Sequence, residues 1–157
     1  MITAAAHPCV VTLEGNMPRH TSITHGLSQV PLFAGLSEKE LAAVRSLLTE
    51  SAVPAGAVLA REGATGHEFF IIESGTAAIE RDGQHVADVG PGDFQGELSL
   101  FDGGPRNATV TATTPMVILV ATRREFTQLL ESTPVIALRM IPALVRRLRA
   151  VASHHAD

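Results

Sequence analysis

The sequence predicts a mainly β fold flanked by helices, an antiparallel β-roll or jelly roll, on three observations. From Ala52 to Thr122 the apolar residues fall into short or alternating runs separated by Gly and Pro. Before that stretch, Ser37-x-x-Glu40 introduces Leu41, Val44, Leu47 and Leu48 at helical spacing, and after Ala121 the helical spacing returns. A chain of 157 residues suits one domain, which buries roughly two thirds of its unfolded surface.

Taken in order, residues 1–28 mix Ala, Thr, His, Pro and Gly without periodicity and predict a flexible arm; residues 29–157 form the domain. Order begins at Val30-Pro31-Leu32-Phe33, and a helix follows from the Ser37 capping box. Strands are predicted over Ala57 to Ala60, His67 to Ile72, Thr76 to Arg81, Val86 to Val89, Asn107 to Ala112 and Met116 to Ala121, within a roll spanning about 52–122. Helices then fill about 123–154. The first, Arg123 to Glu131, carries Phe126, Leu129 and Leu130 on one side and is broken by Ser132-Thr133-Pro134. In the second, Ala137, Ile141, Leu144, Leu148 and Val151 repeat at spacings of four and three, the seam of a helix that packs either on its own barrel or on a partner helix. Pro142 removes a helical hydrogen bond there, so this stretch predicts a kink between Leu138 and Pro142 or a new helix, and in either case a hinge.

Composition excludes several classes. The single cysteine, Cys9, forms no internal disulfide and fits a reducing compartment. A net charge of -4 without a basic tract argues against direct nucleic-acid binding, and no apolar run approaches a membrane span, so a cytoplasmic protein is expected. His7, His20 and His25 match no compact metal motif, and no nucleophile with a base is evident; neither a metal nor a catalytic residue is predicted.

The run from Gly92 to Val110 carries the chemistry. Gly96 allows the backbone to turn closely against a ligand, and Glu97-Leu98-Ser99-Leu100 starts a short helix whose free N–H groups favour an anion. Nine residues on, Arg106 offers a planar fork suited to phosphate oxygens. A carboxylate repels phosphate, so Glu97 must face a donor, and a ribose hydroxyl on the same ligand supplies one.

This segment resembles the phosphate-binding cassette of the cyclic nucleotide-binding domain family, which includes catabolite activators and protein kinase A regulatory subunits. The family pattern runs F-G-E, an apolar residue, a small residue and Leu, then a loop and R-x-A-[ST]-V; here it reads Gly96-Glu97-Leu98-Ser99-Leu100 and Arg106-Asn107-Ala108-Thr109-Val110. Gln95 departs from it, with Phe94 one place earlier. Arg61-Glu62-Gly63, Gly66, Phe69-Phe70-Ile71-Ile72, Gly75 and Gly83 extend the likeness to some 120 residues. The resemblance implies a β-roll with helices at both ends. It also implies a cyclic phosphate held by the Gly96–Ser99 backbone and Arg106, with the ribose 2'-hydroxyl on Glu97. Phe94, Leu98, Leu100, Asn107, Ala108 and Thr109 would shape the pocket, with a purine between sheet and C-terminal helix.

Stretches from Phe126 to Leu148 look like the catabolite activator branch, where the long helix forms a dimer seam and supplies a Thr-Ser pair near the purine; Val151 and Ala152 occupy those places here. In the family, Thr directly after the cassette Arg accompanies cGMP preference, and Asn107 stands there instead, which favours cAMP with cGMP second. With no winged helix-turn-helix after the helix, the sequence predicts a stand-alone receptor, not an enzyme, that moves its C-terminal helix on binding. It would signal through an unknown effector protein or a homodimer formed on Leu144, Leu148 and Val151. The rivals are a metal-dependent cupin-like enzyme, for which His67 and His85 are the strand histidines, a roll that has lost its ligand, and a regulator acting by mixed dimers.

Overall fold

The computed structural model describes residues 27, 28 and 30–156. The expected arm, apart from Leu27 and Ser28, lies outside the described residues, together with His7, Cys9, His20 and His25. A 3-10 turn at Pro31–Phe33 leads to helix α1 (Glu38–Ser46). Strands β1 (Thr49–Val53), β2 (Val58–Ala60), β3 (Glu68–Ser74), β4 (Ala77–Arg81), β5 (Gln84–Val89) and β6 (Phe94–Gln95) follow. Then come helix α2 (Glu97–Asp102), strands β7 (Thr109–Ala112) and β8 (Met116–Thr122), and helices α3 (Arg123–Ser132) and α4 (Val135–Ala156). Among the described residues no single helix is long and apolar enough to cross a membrane.

The capping box read from the sequence closes α1: Ser37 Oγ accepts from the Glu40 amide at 3.1 Å, and the Ser37 amide donates to Glu40 Oε1 at 2.9 Å. A second box, unanticipated, opens α3 through Thr122 and Glu125, so the last residue of β8 is also the cap of the next helix. That junction fixes where strand becomes helix.

Two antiparallel four-stranded sheets form the roll, in the orders β1-β8-β3-β6 and β2-β7-β4-β5. The first sheet is a middle layer. Phe70, Ile72, Ile118 and Val120 point toward the second sheet, meeting Leu59, Ile79 and Val110. Phe69, Ile71, Leu119 and Ala121 point the other way, onto Phe33, Leu41, Phe126, Leu129, Ile136 and Met140 of the helical layer. Burial on both faces explains why β3 reads Phe69-Phe70-Ile71-Ile72 without alternation.

Two strands escaped the sequence reading. β1, Thr-Glu-Ser-Ala-Val, is an edge strand paired only with β8, and β6 is two residues long and pairs with Phe70 and Ile71. Pro142 neither ends α4 nor starts a new helix: one helix runs through it. The proline is exposed, so the amide it fails to supply to the Leu138 carbonyl is lost on the solvent-facing side of the helix, where the cost of the missing bond is least. The predicted seam divides into two faces: Leu144 packs against the core with Ile136 and Met140, whereas Leu138, Ile141, Val145 and Leu148 face solvent. The side chain of Val151 lies outside the described residues.

Glu50 and Glu73, on strands flanking β8, each bury one carboxyl oxygen without a hydrogen-bond partner. Burial first, and then the neighbouring Glu50 carboxyl, push Glu73 up from 4.5 to about 7. A proton is therefore retained on folding across that interval, so stability is full below about 4.5 and falls as pH rises through 7. Glu73→Gln is expected to flatten this dependence and raise the melting midpoint at pH 8 by about 2–4 °C, the equivalent of roughly 1 kcal/mol in a domain of this size. An unchanged slope between pH 5 and 8 in thermal melts of the variant would remove Glu73 as its source.

Candidate functional site

β6 delivers the chain to Gly96, whose φ of +96° lets it cap α2. Space demands glycine as well: a Cβ there would lie 2.5 Å from the Glu68 carbonyl oxygen and 2.6 Å from an Arg106 guanidinium nitrogen. α2 ends after six residues at Gly103, whose amide donates to Ser99 O at 2.8 Å. Beneath the helix, Gly66 presses so closely that a Cβ would sit 2.6 Å from Ser99 Cβ and 2.9 Å from Arg106 Nε. Both glycines are where the backbone of the roll touches the cassette.

Arg106 is 4% exposed. Its guanidinium donates to Glu68 O at 2.9 Å and to Gly96 O at 3.4 Å, tying the loop before β7 to β3 and to the start of α2. Its backbone is clasped by the Arg61–Ala64 turn: the Gly63 amide donates to Arg106 O, and the Arg106 amide to Ala64 O, each at 2.8 Å. Glu62 extends the brace, its amide donating to Thr109 Oγ1 and its carboxylate accepting from the Asp82 amide, each at 3.0 Å.

Glu97 is 2% exposed. Its Oε2 accepts from Arg147 of α4 at 2.8 Å, and its Oε1 is buried without a hydrogen-bond partner. Burial raises its pKa; the Arg147 charge, the Glu97 backbone and Arg106 act against that rise. Arg147 also donates to Phe94 O and stacks over the Phe94 ring, 4.6 Å from the centroid. Sequence reasoning missed this residue's part in the site. It stands fifty positions from Glu97, and nothing local in Arg146-Arg147-Leu148 distinguishes the arginine that turns inward.

The structure thus gathers Gly96, Glu97, Ser99 and Arg106, with Phe94 at the rim. Leu98 is 44% exposed and Asn107 faces solvent, while Ala108 lies in the core between the sheets, and the Thr109 hydroxyl accepts from the Glu62 amide. A cleft of about 550 Å³ opens alongside, between Pro31, Pro91 and α4. It shares Phe94 and Arg147 with the site, but Gly96, Glu97, Ser99 and Arg106 do not line it. Arg147 stands between the cleft and the cassette. Among the described residues no group of three or more His, Cys, Asp or Glu converges as a metal centre; His67 is exposed, and His85 pairs with Asp88 at 2.9 Å.

Arg147→Met would strand the Glu97 carboxylate. Because Glu97 is already raised by burial, its proton is retained further up the pH scale when Arg147 is gone, and the cost grows as pH rises. The variant is expected to lose about 1–3 kcal/mol at pH 8 and less at pH 5, discounted because the Arg147 side chain is 37% exposed. Denaturant titrations giving the same deficit at both pH values would exclude that coupling.

An antiparallel roll whose glycine-tight turn buries a carboxylate and an arginine, with a C-terminal helix touching the carboxylate, defines a ligand-binding regulatory module. The sequence model described as "Cyclic nucleotide-binding domain" matches residues 50–133, and the chain belongs to that family. It is 37% identical over 111 residues to a cyclic nucleotide-gated potassium channel of Rhizobium etli, covering 71% of this chain and 31% of the channel. It is 30% identical over 149 residues to a cAMP-dependent protein kinase regulatory subunit of Neurospora crassa, covering 94% of this chain and 37% of the subunit. In structure it resembles the catabolite activator protein of Thermus thermophilus, with a TM-score of 0.71 and 30% identity over 79% of this chain and 61% of that one. The chain spans about a third of the length of those two curated relatives. The family is regulatory, not catalytic.

Proposed function

We propose that the domain is a receptor for a cyclic purine nucleotide, cAMP ahead of cGMP, and that occupancy repositions α4. The observation that carries this reading is the Oε1 atom of Glu97, buried and unpartnered beside Arg106. A ribose 2'-hydroxyl donating to that oxygen satisfies it without dislodging Arg147 from Oε2. The cyclic phosphate is then left to Arg106 and the cassette backbone, which divides the ligand between the two side chains by the charge each tolerates. Gly96, Leu98, Ser99, Asn107, Ala108 and Thr109 are assigned to the pocket with them, and Phe94 to its edge. Asn107 in place of threonine supports cAMP over cGMP.

The switch rests on Arg147. A ligand shifts an equilibrium only through a difference in affinity between two states. Here α4 touches the very carboxylate the ribose would engage, so filling the cassette and placing α4 are linked directly through Arg147. The exposed face of α4 suits a second copy of the chain: Leu138, Ile141, Val145 and Leu148, 65%, 52%, 41% and 68% exposed, follow the three-four spacing of a coiled-coil seam. Of the predicted Leu144, Leu148 and Val151 stripe this face keeps Leu148, sets Leu144 against the core, and adds Leu138, Ile141 and Val145.

Calorimetric titration with cAMP, cGMP and 5'-AMP tests the reading. Binding of cAMP more tightly than cGMP, and of either over the open-chain nucleotide, is the expected order. Absence of heat with both cyclic nucleotides would overturn it. Amide exchange over residues 135–155 that is identical with and without saturating cAMP would overturn the switch alone.

A further inference from the structure

Resting on the assignment of the cassette as the nucleotide site, we infer that Arg123 is a positioning residue that ties the far end of α2 to the α3–α4 elbow, so that the elbow grips the cassette helix at both ends. Arg123 is the first residue of α3. Its guanidinium donates to Leu100 O at 2.8 Å and to Ser99 O at 3.4 Å. Those carbonyls belong to the last turn of α2: Ser99 O is already met by the Gly103 amide at 2.8 Å, whereas the next amide, that of Gly104, donates to Asp102 Oδ1 at 2.8 Å and leaves Leu100 O to Arg123.

Stability of α3 by itself does not account for an arginine at that position. A cation in the first turn of a helix opposes the aligned peptide dipoles, whereas the same charge at the C-terminal end of α2 complements them. Arg123 and Arg124 both stand in the first turn of α3, and Arg123 is the one turned onto α2. A second contact runs parallel to it: Phe101 of α2 meets Phe126 of α3 edge-on, with ring centroids 5.4 Å apart.

At the opposite end of α2, Arg147 holds Glu97. Between the two arginines lie the whole of α3, the Thr133-Pro134 break and the first half of α4. Arg106 differs from both, because it anchors the start of α2 to Glu68 of β3 and therefore to the roll. Movement of α2 toward a phosphate consequently acts on the elbow through Arg123 as well as Arg147. A displacement of the elbow acts back on the cassette by the same two contacts.

The test compares the full chain with Arg123→Gln and Arg123→Lys by amide exchange and calorimetry. Without nucleotide, Arg123→Gln is expected to speed exchange about fivefold in residues 99–104 and 123–127 together, leaving β3 and β8 amides at the wild-type rate. With saturating cAMP, its affinity stays within about fivefold of wild type, but the ligand-dependent change across residues 123–130 is lost, and Arg123→Lys restores part of it. Faster exchange in only one of the two segments, or a full ligand-dependent change in Arg123→Gln, would overturn the inference. If wild-type protein gives no heat with cAMP or cGMP, the nucleotide assignment fails, and the nucleotide-free comparison still decides whether Arg123 ties α2 to α3.

Discussion

Arg106→Ala is expected to weaken cAMP binding by about 2–5 kcal/mol, a loss of roughly 30-fold to several thousand-fold. The guanidinium is 4% exposed and already oriented by the carbonyls of Glu68 and Gly96, so little ordering is left to be done when an anion arrives. Removing it takes away the positive charge, the planar fork and the tie between β3 and the cassette at once. Arg106→Lys separates these contributions: it keeps the charge and loses the fork, so an intermediate affinity is expected. Titration calorimetry with thermal melts of the same samples checks the result, because loss of two carbonyl contacts also lowers stability. A loss of affinity below twofold in a folded Arg106→Ala protein would remove Arg106 from the ligand.

The second large effect falls on the core. Phe69→Ala is expected to cost about 3–5 kcal/mol of stability and to lower the melting midpoint by roughly 6–20 °C. Phe69 is fully buried on β3, with its ring centroid 4.6 Å from Phe126 of α3 and 5.9 Å from Phe94 of β6. It joins the sheet, the helical layer and the strand that leads into Gly96. The rigid glycine-tight packing around the cassette gives the cavity no easy route to collapse, which places the expected cost in the upper half of the range for core truncations. The same vacancy loosens Phe94, over which Arg147 stacks, so nucleotide affinity should fall along with stability. Denaturant unfolding that shows less than about 1 kcal/mol of destabilisation would mean the neighbouring rings close over the gap.

Stability and binding converge on α2 because its contacts come from distant parts of the chain. Glu68 opens β3, four strands before α2, Arg106 follows it by a loop, and Arg123 and Arg147 belong to the two helices beyond the roll. The cassette is therefore a junction between roll and elbow. Substitutions at Gly66 or Gly96 act at the same junction from the side of the backbone, where no side chain can give way cheaply.

Much of this was legible from local pattern. The Ser37 capping box closes α1 as read, and the strands from β2 to β5 and β7 to β8 appear with ends shifted by a residue or two. Glu97 and Arg106 were legible through the resemblance of the Gly96–Leu100 and Arg106–Val110 runs to the family's cassette, and the structure buries both beside α2. The β1 strand was not, since Thr49, Glu50 and Ser51 carry no apolar alternation; pairing with β8 makes it a strand. Nor was β6, whose two residues are too few to establish any period.

What the sequence by itself determined was the change from helical to strand spacing and back, the turn glycines, and the presence of a glycine, a carboxylate and an arginine in one short run, because each is a short-range property of neighbouring residues. Only the tertiary structure decided which face of α4 meets the core, which arginine reaches Glu97, and that Arg123 belongs to the end of α2. Those outcomes depend on where elements separated by tens of residues are packed. A helical period records that a face is apolar, but the layer beside it determines what that face touches.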